Sequence, residues 1–491
     1  SNMIATRPDW CISRQRIWGV PIAVFQCENC KKFLHDKAVN RKVVEMFARE
    51  GADSWYRYTP EQILPAGTKC AICGGIKFHK ELDIIDVWFE SGSSQAAVLG
   101  HEPGLPWPAD LYLEGGDQYR GWFHSSLLCA VGTHGGAPYR GVATNGWTLD
   151  PEGRAMSKSL GNTVDPVEIA EKLGAEIVRL WVASVDFRED VSASNDLMKR
   201  VADIYRKIRN TLRNILGNIH DFNPETDTVP FEDMEQLDQY FLLRAAEMAQ
   251  EVRGYYETFT FHRLYQRLND FCTVDLSAIY FDVLKDRLYT SAPSSIARRS
   301  GQTVLWRMGE ALVRLLAPIL SFTAEEVWGY LPKVPGRLES VHLAQFPEPK
   351  DLTGEIPSGF DAAALESDWD TLLQVREEAL KSLEVARAAK RIGKSLEAQL
   401  HLLASEEVYD VLVRHRDELR YLFIVSDVVL EESTASEARR ALNITVRKAP
   451  GEKCERCWNY STHVGEDKNY PTICERCSGV LGELEAAMET H

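Results

Sequence analysis

The sequence lacks any long uninterrupted run of apolar residues. No stretch of its 491 residues approaches the roughly 20 apolar residues that a helix needs to span a bilayer. No secretory signal peptide is recognisable at its start. Hydrophobic residues make up 44% and charged residues 26%, which are ordinary proportions for a globular protein. We therefore expect a cytoplasmic protein of roughly three or four domains.

Positive charge is also scarce, because 56 Lys and Arg residues face 72 Asp and Glu residues, for a formal net charge of −16. This balance argues against a protein that coats nucleic acid without specificity. It leaves room for a specific RNA binder with local basic patches.

A disulfide framework is missing, although the chain has 11 cysteines. Three of them, Cys11, Cys129 and Cys272, are isolated. The other eight form four C-x-x-C pairs, which in an enzyme-sized chain indicate thiolate metal sites in a reducing compartment. The pairs are Cys27/Cys30, Cys70/Cys73, Cys454/Cys457 and Cys474/Cys477.

The two C-terminal pairs predict a structural zinc site. They repeat the tetrapeptide Cys-Glu-Arg-Cys, with sixteen residues between Cys457 and Cys474. Four thiolates at this spacing match a tetrahedral site in which the protein supplies every ligand. The pairs at Cys27 and Cys70 predict a second zinc site in an insertion. The alternative for either set is a group of surface thiols.

One loop has the composition of a flexible segment that can bring a lysine to a phosphate group. Residues 152–162 read Glu-Gly-Arg-Ala-Met-Ser-Lys-Ser-Leu-Gly-Asn, between a strand-like run at 141–149 and a helix-like run at 166–183. The glycines allow movement, and Lys158 together with main-chain N–H groups favours a phosphate ligand. The alternative is a solvated Gly/Ser turn, since short motifs are weak evidence.

The periodicity predicts a multidomain chain: a partial α/β, Rossmann-like half with a zinc-bearing insertion, an all-α helix bundle, and a small α+β C-terminal module with a zinc ribbon. We expect a strand at 82–89, a capping box at Thr323–Glu326 and a Pro- and Gly-rich linker at 333–364. The predicted boundaries are 1–192 for the α/β half with its insertion at about 20–80, 193–226 for a contact helix, 227–350 for the bundle, 365–448 for the α+β module and 449–491 for the zinc tail.

The segment after residue 194 predicts a long amphipathic helix. Its apolar residues recur at intervals of three or four, as on one stripe of a helix. The other face is either a solvated surface or a surface that tracks phosphates. Its basic residues are Lys199, Arg200, Arg206, Lys207, Arg209 and Arg213, and Asp203 lies among them.

Several longer motifs carry a resemblance to the isoleucyl-tRNA synthetase family of class I aminoacyl-tRNA synthetases. The similar runs are Trp10-Cys-Ile-Ser-Arg-Gln-Arg-Ile-Trp-Gly19, Asp86-Val-Trp-Phe-Glu-Ser-Gly-Ser-Ser94, Leu113-Glu-Gly-Gly-Asp-Gln-Tyr-Arg-Gly-Trp-Phe123 and Arg206-Lys-Ile-Arg-Asn-Thr-Leu-Arg213. The loop around Lys158 resembles the second signature loop of the class. The four-cysteine tail distinguishes the chain from valyl enzymes, which end in a coiled-coil arm.

This resemblance implies a ligase that uses ATP with Mg²⁺ to activate L-isoleucine and then transfers it to isoleucine tRNA. By the likeness, Lys158 stabilises the leaving pyrophosphate, and Met156, Ser157 and Ser159 belong to the same ATP loop. The likeness further assigns Glu114 to the adenylate, Asp117 and Gln118 to the substrate amino group, and Trp88 and Trp122 to the isoleucine pocket. Either tryptophan could instead be a core residue. The resemblance further implies that 193–226 is a stem-contact helix and 227–350 an anticodon-binding helix bundle. We also expect a monomer.

The chain departs from the family at several points. Ala155, Asn145 and Glu90 stand where the family commonly has lysine, histidine and aspartate. The first two lie near the expected nucleotide site and therefore bear on ATP and inhibitor binding. The H-x-G-H motif that begins the nucleotide-binding fold is absent, as is the editing domain. We therefore expect a C-terminal fragment of a longer enzyme that cannot form the adenylate alone. The alternatives are a non-catalytic zinc-ribbon tRNA-binding protein, or a valyl or leucyl enzyme.

Overall fold

The computed structural model describes residues 5–433 and 442–489. The chain divides into two compact units, one of residues 1–147 and 187–190, the other of residues 148–186 and 191–491. None of the helices within the described ranges combines the length and hydrophobicity that a bilayer crossing requires. The domain boundaries given above stay predictions.

The first unit contains a β–α–β segment. Strand Ala109–Gly115 runs parallel to strand Tyr139–Asn145, and helix Trp122–His134 connects them after a 3₁₀ turn at Gly116–Tyr119. A crossover helix of this kind is what parallel pairing requires. The expected α/β half is therefore present, with two parallel strands paired within the described part of this unit.

The insertion in this unit has a core of its own. Strands Phe25–Cys27 and Phe78–Lys80 pair antiparallel, and helices Lys37–Glu50, Ser54–Arg57 and Pro60–Ile63 lie between them in sequence. Their buried side chains form a separate cluster around Trp55, which makes an edge contact with Phe25 at 4.9 Å between ring centroids. The insertion thus folds as a small module around its cysteines.

The predicted strand at 82–89 is wrong for most of its length. Only Ile84–Ile85 is a strand, which pairs antiparallel with Ser13–Arg14, and helix Val87–Gly92 follows it. Asp86 starts this helix because its carboxylate accepts a hydrogen bond from the Trp88 N–H. A second short helix, Ser94–Val98, comes next.

Two predicted runs of regular structure are interrupted at glycines. The strand-like run at 141–149 divides into Tyr139–Asn145 and Thr148–Leu149, and Gly146 between them lies so close to the Glu189 carbonyl that a Cβ would not fit. The helix-like run at 166–183 divides into Pro166–Leu173 and Ala175–Ser184 at Gly174, whose φ of 98° is left-handed.

The second unit is mostly helical. It has one large core that extends from Ile169 to Val446. Its short strands Thr148–Leu149 and Val191–Ser192 pair parallel. The helices of the bundle and its flanks are Asn195–Asn218, Gln236–Glu257, Phe261–Asp270, Phe281–Thr290, Ile296–Leu316, Ser321–Tyr330, Pro349–Thr353 and Ala362–Ala388, with a π-helical segment Phe271–Tyr280 and 3₁₀ turns Phe231–Asp233 and Val341–Leu343.

The capping box predicted at Thr323 is wrong. The helix already begins at Ser321, and its first N–H groups are capped from another helix. Glu176 Oε1 accepts from the backbone N–H groups of Phe322 and Thr323, both at 2.9 Å. A carboxylate at a helix N-terminus satisfies free N–H groups and complements the dipole.

The predicted linker at 333–364 is packed against the bundle. Val341 and Leu352 are buried in the main core. Arg337 lies over the Trp328 ring, with its guanidinium carbon 3.6 Å from the centroid, and pairs with Glu310 at 2.7 Å. Proline and glycine here shape ordered turns, so composition alone was misleading.

The C-terminal α+β module agrees with its prediction in kind. Strand Ala398–Ala404 is central, parallel to Asp427–Glu432 and antiparallel to Leu442–Lys448. The sequence pattern predicts one helix at 406–423 before the second strand, but the structure divides it at His415 into Glu406–Arg414 and Arg416–Phe423. The sequence pattern also predicts a strand at 441–447, of which the first residue, Ala441, lies outside the described residues. A 3₁₀ turn Ser395–Glu397, the hairpin Glu452–Lys453 with Tyr460–Ser461, and helix Glu475–Glu489 complete the unit.

Candidate active-site segments and metal centres

The four cysteines of the insertion converge on one point. All four Sγ atoms lie within 4.8 Å of one another, with Cys27 and Cys73 at 3.6 Å and Cys30 and Cys70 at 3.6 Å. A tetrahedral zinc with sulfur ligands at about 2.3 Å holds its sulfurs about 3.8 Å apart. The donor set therefore fits zinc.

Backbone geometry favours the thiolate form in this cluster. Hydrogen bonds from the backbone N–H groups of Cys73 and Ile72 lower the pKa of Cys70 to about 7. The residue after the second cysteine of each pair, Lys31 or Gly74, has a φ of 58° or 72°. This left-handed residue reverses the chain so that backbone N–H groups face the sulfurs.

The C-terminal cysteines form a second, more enclosed cluster. Their Sγ atoms also lie within 4.8 Å of one another, with Cys457 and Cys474 at 3.7 Å, and all four residues are buried. The backbone N–H of Cys474 donates to Cys454 Sγ at 3.3 Å. Four enclosed thiols leave no open coordination position, so this set fits a structural zinc.

Two arginines of this tail attach it to the helix Phe281–Thr290. Arg456 donates to the Thr290 carbonyl at 2.6 Å. Arg476 forms a bidentate pair with Asp286, in which the longer hydrogen bond is 2.9 Å. Each arginine lies between the two cysteines of a pair. The segments that would bind the metal therefore also attach the tail to the helix Phe281–Thr290.

The lysine loop is held by a buried aspartate that the sequence analysis did not single out. Asp150 is 2% exposed and accepts from the backbone N–H of Arg154 at 2.8 Å, from Arg154 Nε at 2.8 Å and from Asn162 Nδ2 at 2.9 Å. The hydrogen bond from Asn162, together with those from Arg154, lowers the pKa of Asp150 to about 2. Asp150 is therefore ionised at neutral pH.

Asn162 extends this frame across the loop. Its Oδ1 accepts from the Ser157 N–H at 2.9 Å, and its Nδ2 also donates to the Ala155 carbonyl at 3.2 Å. Ser157 and Ser159 hydroxyls lie 3.1 Å apart. Ala155 takes part through its backbone, which bridges to Leu149, so an alanine side chain there is compatible with the loop.

Lys158 lies at the exposed apex of this frame, and within the described residues its ammonium group has no hydrogen bond or ion pair. Met156 is half-buried and packs against the main core, which anchors the loop on one side. The frame thus presents a single unneutralised cation to solvent.

In the first unit, Gly121 brings two predicted substrate residues together. A Cβ at Gly121 would lie 2.7 Å from Gln118 Oε1 and 2.8 Å from Trp88 Cη2. Gln118 accepts from the Trp122 N–H at 3.2 Å and donates to Asp117 Oδ2 at 3.1 Å. The four predicted residues therefore form one cluster beyond the end of strand Ala109–Gly115.

The other predicted substrate residue, Glu114, and the two tryptophans of the cluster differ in exposure. Glu114 is exposed near the strand end, opposite Thr144. Trp88 is 43% exposed. Trp122 is half-buried, stacks on Tyr112 at 4.3 Å between centroids and donates from Nε1 to the Ser91 carbonyl at 2.9 Å. These two contacts fix the orientation of the Trp122 ring.

Asp86 is a second aspartate that the sequence analysis did not assign. Besides capping the Trp88 helix, it accepts from Trp10 Nε1 at 3.0 Å and pairs with Arg14. Although burial opposes ionisation, the hydrogen bonds from Trp10 and Trp88 and the charge of Arg14 lower its pKa. Two sequence motifs, 10–19 and 86–94, therefore meet at one carboxylate.

The long helix Asn195–Asn218 has the predicted stripe. Val201, Ile208, Leu212 and Ile215 are buried. The six predicted basic residues, Lys199, Arg200, Arg206, Lys207, Arg209 and Arg213, are all exposed. At 100° per residue, five of them share an arc of about 140°, while Arg209 lies at its margin.

Comparison with protein families agrees with this arrangement. Residues 1–194 match the family model of tRNA synthetases class I (I, L, M and V). Residues 238–402 match the anticodon-binding domain of tRNA ligase, and residues 451–478 match the zinc finger found in FPG and IleRS.

The curated relatives that the chain matches are isoleucine–tRNA ligases. The chain is 49% identical over 490 residues to the isoleucine–tRNA ligase of Carboxydothermus hydrogenoformans, covering 99% of this chain and 52% of the relative. It is 48% identical to those of Syntrophotalea carbinolica and Geobacter sulfurreducens, covering 98% of this chain in both cases and 51% and 52% of the respective relatives. The chain belongs to the isoleucyl-tRNA synthetase family.

The resemblance to this class I synthetase family is therefore confirmed. The chain spans about half the length of the curated relatives it matches, in agreement with the expected fragment of a longer enzyme. A complex of leucyl-tRNA synthetase agnB2 from Agrobacterium radiobacter K84 with tRNA and LeuAMS has a similar fold, with a TM-score of 0.52 at 19% identity, covering 75% of this chain and 48% of that chain.

Proposed function

We propose that this synthetase chain is the part of an isoleucine–tRNA ligase that carries the signature lysine loop and the tRNA-binding helices. The observation that carries the proposal is the loop hydrogen-bonded by Asp150 and Asn162, which presents Lys158 without a neutralising partner among the described residues. A chain with only a zinc-ribbon binding role has no need for such a frame.

In the proposed first step, the isoleucine carboxylate attacks the α-phosphate of Mg-ATP, and pyrophosphate leaves. Lys158 supplies positive charge to the leaving group, supported by the N–H groups of the loop. Glu114, Asp117 and Gln118 hold the adenylate and the substrate amino group, beside a pocket at Trp88 and Trp122. Positioning and charge stabilisation supply the rate, since the protein forms no covalent bond.

In the second step, a terminal ribose hydroxyl of the tRNA attacks the adenylate carbonyl carbon, and AMP leaves. The cationic face of helix Asn195–Asn218 holds the tRNA. Both zinc centres are structural in this proposal, with their thiolates in a reducing cytoplasm. An apolar pocket separates isoleucine from valine by only about 150-fold, a figure measured on this very enzyme type.

The test is isoleucine-dependent ATP–pyrophosphate exchange. We expect exchange when the chain is part of the longer protein that its relatives represent, and none from the chain alone. The Lys158→Ala change in the longer protein lowers the exchange rate about 10²- to 10³-fold, since it removes one stabilising group from the transition state.

The matched control is Lys172→Ala, which removes an exposed lysine that Glu168 already neutralises. This variant retains its exchange rate. Equal losses from both variants would contradict the assigned role of Lys158. Exchange driven by valine or leucine in place of isoleucine would indicate another aliphatic enzyme, and tRNA binding without exchange in the longer protein would indicate a binding protein.

A further inference from the structure

The two cysteine clusters offer the same four ligands but differ in exposure. In the tail, all four cysteines are buried. In the insertion, Cys27 and Cys70 are buried, Cys30 is half-buried and Cys73 is exposed. The susceptibility of a cysteine to oxidants follows its thiolate character and its exposure. Because zinc binds cysteine as the thiolate in both clusters, exposure is what distinguishes them, and Cys73 is the sulfur most open to a dissolved oxidant.

Each outer cysteine of the insertion has a buried sulfur close to it. Cys73 Sγ lies 3.6 Å from Cys27 Sγ, and Cys30 Sγ lies 3.6 Å from Cys70 Sγ. A disulfide bond is about 2.0 Å long, so a side-chain movement of about 1.6 Å would close either pair. Each pair takes one sulfur from each C-x-x-C turn. A disulfide would therefore join the same two segments that the zinc joins.

The tail cluster provides an internal reference with protected sulfurs. Arg456 Nη1 donates to Cys477 Sγ at 3.5 Å, and the backbone N–H of Cys474 donates to Cys454 Sγ at 3.3 Å. Hydrogen bonds of this kind stabilise the negative charge on sulfur and so reduce its nucleophilicity. Burial and these donors together make the tail the slower of the two clusters to react.

The insertion also has a core that does not depend on its metal. Its buried cluster includes the apolar side chains of Phe25, Val43, Trp55 and Phe78. The buried cluster of the tail, within the described residues, consists of its four cysteines and Ile473. Loss of zinc therefore leaves the insertion an apolar core around which to stay folded. We expect oxidation of its cysteines to be reversible for this reason.

We propose that Cys73 is a modification site for hydroperoxides and that its oxidation releases the zinc ion of the insertion. The Cys73 thiolate attacks one peroxide oxygen, the O–O bond breaks, and the other oxygen takes up a proton and leaves as water or an alcohol. The Cys27 thiolate then attacks the sulfur of the Cys73 sulfenic acid. The S–O bond breaks, the leaving oxygen takes up a proton, and water and a disulfide result.

In this sequence two thiolates give two electrons to one peroxide. Cys30 and Cys70 then remain as the only thiolates of the cluster, which is too few for a closed four-cysteine zinc site. The modification goes beyond the proposed ligase function and does not depend on it. Its test therefore needs no measurement of ligase activity.

The test treats the purified, zinc-loaded chain with increasing concentrations of hydrogen peroxide. A chromogenic chelator measures zinc release, and alkylation followed by peptide mass spectrometry locates the disulfides. We expect the loss of one of the two zinc ions, together with a disulfide between Cys27 and Cys73, while the tail keeps its zinc. Dithiothreitol with added zinc should restore the original content.

Three variants separate the role of Cys73 from general thiol oxidation. Cys73→His keeps a zinc ligand, because Cys₃His sites bind zinc, but removes the exposed sulfur. This variant should retain its zinc at peroxide concentrations that release it from the wild-type chain. Cys30→His makes the same change in the same cluster and should release zinc as the wild type does. Cys11→Ser, which removes the other exposed cysteine, should also behave like the wild type.

Several results would overturn the inference. These are release from the tail first or from both clusters equally, retention of both zinc ions while Cys11 is oxidised, and release from Cys73→His as fast as from the wild type. If Cys73→His does not bind zinc in the insertion, the first disulfide of the wild-type chain decides, and any bond other than that between Cys27 and Cys73 counts against the inference. A wild-type insertion without zinc also overturns it, while the ligase function stands on pyrophosphate exchange.

Discussion

The cationic face of helix Asn195–Asn218 allows a quantitative prediction of how tRNA binding depends on salt. Within the described residues, Arg200, Lys207 and Arg213 are exposed and have no ion pair. Each cation that contacts a phosphate contributes about 0.9 to the slope of log affinity against log salt. Replacing all three with alanine should therefore reduce the slope by about 2.7.

The predicted magnitude is large enough to measure. Between 50 and 200 mM salt, the wild-type chain should lose about 40-fold more affinity for tRNA than the triple variant does. Lys199 and Arg206 are expected to contribute less, because Asp196 and Asp203 already pair with them on the same helix. Filter-binding titrations of isoleucine tRNA at four or five salt concentrations give the slope.

Arg209→Ala provides the matched control. It removes the same unit of charge from the same helix, but at the margin of the cationic arc. Its slope should stay within about 0.3 of the wild-type value. If Arg209→Ala alters the slope as much as Lys207→Ala does, overall charge and not the arrangement of this face governs binding. An unchanged slope in the triple variant would refute the assignment of the face to phosphates.

Three further predictions concern metal content and stability. Plasma emission analysis should find two zinc ions per chain, and either Cys477→Ser or Cys73→Ser should reduce the content to one; a content of two in either variant would contradict the corresponding cluster. Asp238→Ala should lower the free energy of unfolding in urea by about 3–5 kcal/mol, because it leaves the buried Arg287, 2.6 Å from Asp238, without its counter-ion; a loss below about 1 kcal/mol would contradict this. Burial raises the pKa of Glu418 to about 7, so the folded state holds a proton that the unfolded state has released, and stability should fall as pH rises from about 4 to 7. Glu418→Gln should therefore stabilise the chain by on the order of 2–3 kcal/mol at pH 8 and have little effect at pH 4, and an equal effect at both pH values would refute the role of this proton.

Features with a short repeat in sequence could be predicted. The apolar stripe through Ile208 and Leu212 follows from helical periodicity, because the residues that share a face are only three or four apart. The two cysteine clusters follow from the C-x-x-C spacing, because each pair fixes half a site locally and the sulfur chemistry supplies the rest. Cys27 and Cys73 are 46 residues apart in sequence. Their meeting could still be predicted, because each C-x-x-C pair is a local motif and only the association of one pair with the other had to be inferred.

Contacts between distant segments could not be predicted in the same way. Glu176 caps a helix that begins at Ser321, so no local pattern identifies it. Asp86 terminates the short strand before it and joins motifs separated by about 70 residues in sequence. The segment at 333–364 has the composition of a linker, yet Leu352 is buried because a neighbouring helix offers it an apolar surface. Tertiary packing overrides composition at each of these positions.

The acidic residues explain why a net charge of −16 is compatible with binding a polyanion. Several of these residues form hydrogen bonds or ion pairs within the protein. Asp150 holds the lysine loop, Asp238 pairs with Arg287, and Glu176 caps a helix. Charges neutralised in this way add little to the potential that a ligand meets, since burial and pairing cancel them locally. In the proposed complex, the tRNA contacts the charges at the surface, where the long helix presents Arg200, Lys207 and Arg213, which have no ion pair among the residues the structure describes. Net charge therefore predicts the solubility of this chain, whereas the pairing of individual charges predicts where RNA binds.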